Sequence, residues 1–207
     1  MTPPSAGTLP VQDTIRGIVL MCGAFIMFAL LDTTAKYLGQ LYPMVQVVWV
    51  RYVGHAALAL LFVWVHRRQQ PWRSSRPLLQ FVRGCLLLVG TSLNFLALRY
   101  LQLAETASIY FSTPLLVAAL AVPLLGERIG PRRLAAIVVG FIGVIIVIRP
   151  GLGMIHWAAI FSCMVAVSGA FYQILTRMLA SADSPHTAQL YAAVIGLAAA
   201  TPFMPYA

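Results

Sequence analysis

The chain has 207 residues, 60% of them hydrophobic and only 9% charged, with a formal net charge of +9. Soluble domains carry about 25% charged residues, so this composition excludes an ordinary water-soluble domain and points to a polytopic membrane protein. The excess cations sit in short segments between apolar runs instead of on one solvated face, which argues against a nucleic-acid binder and matches the way membrane orientation is encoded.

Residues 1–12 are rich in Pro, Thr and Ser and lack the basic n-region of a signal peptide. They predict a disordered tail, cytoplasmic by the charge argument below. The first apolar run predicts a helix over about Ile15–Leu38, carrying Asp32 and Lys36 four residues apart; Tyr42-Pro43 ends it. A second helix is predicted over Met44–Val65, with Arg51 and His55 at the same spacing. The aqueous loop HRRQQPWRSSRP follows, then a third helix over about Leu78–Leu98, with Arg83 near its start and Asn94 near its end. The turn Arg99–Gln102 is so short that the next helix must be an antiparallel neighbour.

The apolar runs Leu103–Leu125 and Leu134–Ile148 flank the polar knot Gly126-Glu127-Arg128-Ile129-Gly130-Pro131-Arg132-Arg133. At ~1.5 Å per residue, runs of this length cross or nearly cross a hydrocarbon layer of ~30 Å, so they predict a transmembrane hairpin with a basic turn. Pro114 lies near the middle of the first run, where it removes a backbone donor and leaves the Tyr110 carbonyl to be satisfied by Ser112, Thr113 or water. After Arg149-Pro150-Gly151, helices are expected over about Ile155–Met178 and Thr187–Phe203, joined by SADSPH. The fold class is therefore all-α polytopic membrane protein with about seven transmembrane helices.

Lys and Arg fix the expected orientation. Arg16, Arg67, Arg68, Arg73, Arg76, Arg128, Arg132, Arg133 and Arg177 fall on one side, against Lys36, Arg99 and Arg149 on the other. The richer side should be cytoplasmic, which places the N-terminus inside and Ala207 outside. An internal echo accompanies this topology: ALLDTTAKYL (Ala29–Leu38) answers AFYQILTRML (Ala170–Leu179), Pro43 answers Pro185, and Trp49 answers Tyr191. Lys36 is then outside and Arg177 inside, so the two copies are inverted, as in secondary transporters. The expected organisation is a tail (1–12), one five-helix repeat (13–151) and an incomplete second repeat of two helices (152–207). A chain cut short after helix seven is the corresponding expectation.

These features together resemble the EamA-type branch of the drug/metabolite transporter superfamily. They are Lys36-Tyr37-Leu38, the Arg51-Tyr52 start of helix two, NFLALRYLQLAETASIYFSTPLLVAALAVPLLGER, and GFIGVIIVIRPG, in that order and spacing. The resemblance implies a carrier in the bacterial inner membrane, with ten helices in two inverted repeats, moving a small metabolite or drug-like solute without ATP. It also implies that helices of the second repeat, absent from these 207 residues, or a second copy as a homodimer, would complete the path.

Ionisable side chains inside apolar runs are costly and usually face a cavity or a partner. Asp32 and Arg51 lie at similar depth and suggest an ion pair that gates or binds substrate; the alternative is that Asp32 pairs with Lys36. His55 offers proton coupling, or simply a hydrogen-bonded packing role. Asn94, Tyr110 and Gln173 complete the set of substrate-path candidates. Glu105 reads as an anchor at a helix start, near Arg99, and Glu127 as an anchor for the basic knot. Cys22, Cys85 and Cys163 have no CxxC spacing and read as small packing residues. Ala136, Gly140 and Gly143 give helix five a small-residue face. No metal, cofactor or nucleic acid is called for, and P-loop, HExxH and GxSxG motifs are lacking. A membrane-embedded enzyme or a non-transporting remnant stay open as alternatives to a carrier.

Overall fold

A computed structural model describes residues 11–65, 74–125, 130–148 and 157–206, and everything described is helix, turn or short coil. The helices are α1 (Val11–Leu41), α2 (Met44–Val65), α3 (Pro77–Tyr100), α4 (Leu103–Tyr110), α5 (Thr113–Leu125), α6 (Pro131–Ile148), α7 (Ala159–Leu179) and α8 (Pro185–Ala200), followed by a 3-10 turn over Thr201–Tyr206. Six stretches are long and apolar enough to span a membrane, with Leu103–Leu124 counted as one, and Leu134–Ile146 forms a shorter apolar helix. The seven-helix polytopic reading holds.

The boundaries depart from expectation in three places. Val11 and Gln12, expected in a disordered tail, begin α1; residues 1–10, the Gly126–Ile129 part of the knot with Glu127, and Arg149-Pro150-Gly151 lie outside the described residues. The start of α7 is Ala159, after a turn at Trp157-Ala158. The fourth predicted helix is two helices. Phe111 N–H still donates to Ala107, but Ser112 N–H donates to Ile109, tightening the last turn of α4. The Ser112 carbonyl then accepts from both Leu115 and Leu116 N–H, at 3.0 Å each, and starts α5. Pro114 thus sits in the first turn of a new helix, where a missing N–H costs nothing, instead of kinking a continuous one. The helix-interior proline is Pro123, which the sequence reading passed over.

In lipid the hydrophobic effect does not hold helices together; close packing and polar contacts do. Helix α3 is the centre of the bundle, packed on α1, α2, α7 and α8. Gly84 of α3 lies so close to α8 that an added Cβ would come within 2.6 Å of the Ile195 side chain, and Gly196 of α8 would meet the Tyr52 ring at 2.0 Å. Tyr52 is 1% exposed and packs with Ala35, Val47, Val48, Phe95, Leu98 and Ala200 in the largest buried cluster. Gly140 lets α6 approach Leu115 of α5, as its small-residue face predicted, whereas Gly143 touches nothing within 4 Å. The remaining apolar surface faces outward: Ile18, Val19, Phe25 and Phe28 of α1, and Val139 and Ile146 of α6, are exposed, as lipid-facing residues should be. Cys22 and Cys163 are also exposed, contrary to a packing role; all three cysteines are free.

Candidate functional site

Both ends of the bundle are tied by polar contacts. At one end, called upper here, α1 and α3 finish and α2 and α4 begin. Lys36 Nζ caps the end of α3, donating to the carbonyls of Leu98 (3.2 Å) and Leu101 (2.5 Å), and Trp49 Nε1 donates to Thr201 Oγ1 at 3.3 Å. Lys36 therefore serves a helix terminus, where a cation is favoured. The structural alternative for Asp32, pairing with Lys36, is not how the lysine is used. Glu105 acts as the expected anchor by accepting the Gln102 N–H at 2.9 Å, closing the first turn of α4.

At the lower end, the start of α3 is tied to the α7–α8 turn through Asp183. Its carboxylate accepts from Ser74 Oγ, from Ser75 N–H at 2.8 Å and from Gln80 Nε2 at 2.8 Å. Slight burial alone would raise the Asp183 pKa, but these donors outweigh it and hold the carboxyl below its ordinary 3.8. Ser184 then caps α8, accepting from Thr187 N–H, with Pro185 in the first turn.

Between these ends runs a column of polar side chains. Counted from the upper end at ~1.5 Å per residue, Arg51, Asn94 and Tyr110 lie about 10 Å deep and Asp32 slightly deeper. His55 and Gln189 lie about 16 Å deep, Tyr172 about 20 Å and Arg83 about 25 Å. Asn94 Nδ2 donates to Asp32 Oδ1 at 3.0 Å, joining α1 to α3. The Arg51 guanidinium lies over the Phe95 ring, 5.4 Å from its centroid. His55 Nε2 and Gln189 Oε1 pair at 3.0 Å between α2 and α8. Tyr110 ends α4 with its ring against Gly169 of α7, one turn before Tyr172. Thr113, on the same break, is 1% exposed, and its hydroxyl finds no partner among the described residues.

Of the six residues singled out in the sequence, five therefore fall along this column: Asp32, Arg51, His55, Asn94 and Tyr110. Gln173 is exposed on α7, one position from Tyr172. Sequence reasoning missed Tyr172, Gln189 and Arg83. The first two carry no signal in a single chain, because tyrosines and glutamines are ordinary near membrane surfaces. Arg83 did carry one, being an arginine six residues inside an apolar helix. It is 3% exposed and donates through Nε to Thr176 Oγ1 (2.7 Å), through Nη1 to the Ala188 carbonyl (3.0 Å) and through Nη2 to Tyr172 Oη (2.6 Å).

A membrane-spanning bundle with charge, amide and phenol groups stacked inside it is the arrangement that solute carriers use. Residues 15–149 match the profile of the EamA-like transporter family. The chain belongs to this family. Among curated proteins, it is 27% identical over 164 residues to an S-adenosylmethionine uptake transporter of Rickettsia felis, covering 79% of this chain and 55% of that protein. A protein of the same name from Rickettsia prowazekii is 25% identical over 185 residues, with 89% and 63% covered. A riboflavin transporter of Rhizobium johnstonii is 26% identical over 188 residues, with 87% and 60% covered. The chain thus spans somewhat over half the length of these relatives. No solved structure matches it. As an EamA-family chain with relatives named for metabolite transport, it is a multi-pass membrane transporter homologue.

Proposed function

We propose that the chain takes part in secondary transport of a small metabolite by alternating access, with the solute passing along the interior polar column. Asp32, Arg51, His55, Asn94 and Tyr110 are the proposed contacts, with Gln173 at the margin on α7. The observation that carries this reading is the placement of five intramembrane polar groups from α1, α2, α3 and α4 at neighbouring depths, each facing another element. The break between α4 and α5 supports it, because interrupted helices are where carriers bind solutes.

The expected topology has the N-terminus and the arginine-rich lower loops in the cytoplasm. One five-helix repeat over 13–151 and the first two helices of an inverted second repeat would rock against each other, with further second-repeat helices or a second copy completing the path. Energy would come from a solute or ion gradient. The relatives' names make a flat heterocyclic metabolite of the S-adenosylmethionine or riboflavin kind the first solute to try.

The test is uptake into proteoliposomes carrying the full-length protein, screened with labelled amino acids, nucleosides, S-adenosylmethionine and riboflavin at two pH values. Saturable, protein-dependent accumulation of one class is expected. Uptake no faster than in empty vesicles for every class, with the protein inserted, would overturn the reading.

A further inference from the structure

We propose that Tyr172 donates its phenolic hydrogen to an acceptor on the transported solute, and that Arg83 is the positioning residue that frees it to do so. The inference rests on the reading above that solute passes along the column. A guanidinium carries donors only, so in the 2.6 Å contact the Tyr172 oxygen must accept from Arg83 Nη2. The phenol keeps its own hydrogen, and among the described residues nothing accepts it. The charge-assisted bond also draws electron density from the oxygen and strengthens the remaining O–H as a donor.

The clamp is fixed on three helices. Arg83 comes from α3, Tyr172 and Thr176 from α7, and the Ala188 carbonyl from α8, while the guanidinium also lies 4.5 Å from the Tyr172 ring centroid. Joining helices needs none of this. A buried guanidinium with no carboxylate partner among the described residues is an expensive way to hold α3 against α7, and an apolar side chain would do so at lower cost. What the arginine adds is a phenol fixed in one hydrogen-bonding role. The Tyr110 ring lies against Gly169, one turn from Tyr172 on the same face of α7, so the phenol belongs to the same column. The ligand chemistry is thereby narrowed to a solute with a hydrogen-bond acceptor: a carbonyl, a carboxylate or an aromatic ring nitrogen. S-adenosylmethionine and riboflavin both carry such acceptors.

The test uses proteoliposomes of the full-length protein with labelled S-adenosylmethionine and riboflavin. Tyr172→Phe keeps the ring and the packing, and is expected to raise KM about tenfold with little change in maximal rate, the loss of one neutral hydrogen bond. Arg83→Gln should raise KM similarly, Arg83→Lys should restore part of it, and Tyr172→Phe with Arg83→Gln together should be no worse than either alone. An unchanged KM in Tyr172→Phe, or additive losses in the double variant, would overturn the proposal. A solute-free readout separates this from failure of the transport reading. The Raman difference spectrum between the parent and Tyr172→Phe isolates this phenol, and its tyrosine doublet should report an oxygen that accepts from a cationic donor, a signature expected to disappear in Arg83→Gln. A solute-free doublet that Arg83→Gln leaves unchanged overturns the proposal whether or not either compound is carried.

Discussion

Arg51, Asp32 and His55 were legible in the sequence because an ionisable group in an apolar run is costly enough to stand out. Their partners were not, because Asn94, Phe95 and Gln189 are brought to them by helix packing alone. The sequence offered Asp32 two cationic partners, and the structure gives its hydrogen bond to an amide instead, while Lys36 goes to the carbonyls at the end of α3. Glycines show the same limit. Gly140 and Gly143 looked alike in sequence, yet only Gly140 meets a neighbour, and Gly196, never singled out, makes the tightest approach among the described glycines. An added methyl there would sit 2.0 Å from the buried Tyr52 ring, which has no free volume to swing into. Gly196→Ala is therefore expected to destabilise the bundle by about 1–3 kcal/mol, as overpacking does. Thermal unfolding in detergent checks this, and Gly17→Ala, where nothing lies within 4 Å, is the control expected to change little.

Element boundaries followed the apolar runs closely where Pro and polar residues punctuate them, as for α2, which matches Met44–Val65 end to end. The misread element is the fourth. Hydropathy sees Leu103–Leu125 as one run, because it cannot distinguish a proline that kinks a helix from one that opens the next. Only the Ser112 carbonyl, accepting twice, decides between them. The join between α3 and the α7–α8 turn was equally hidden, since Asp183 lies over a hundred residues from its donors. It yields a pH prediction. The folded carboxyl titrates below its ordinary 3.8, so its contribution is fully present above that value and is lost as pH falls through the lower folded pKa. Between pH 6 and pH 3 the parent should lose stability faster than Asp183→Asn, read as the difference in detergent melting temperature. Parallel curves would show that the clamp carries no proton linkage.

At the scale of the whole molecule, composition was the strongest guide. With so few charges in 207 residues, only a bundle whose apolar exterior meets lipid is consistent, and the exposed faces of α1 and α6 have that character. The family followed from the order and spacing of motifs no single one of which is specific. The interior column was only half visible, because its lower part depends on Arg83 meeting Tyr172 across α3 and α7, and on Gln189 of α8 meeting His55 of α2. The same column is where the transport account is most exposed. The deciding measurement is uptake, by the parent and by Arg51→Ala inserted at equal amounts, of the compound the parent carries best. On the proposed role of Arg51, its removal should reduce uptake efficiency at least about tenfold, the usual worth of a charge-assisted contact. Parent-level uptake by Arg51→Ala would contradict a solute path through this column.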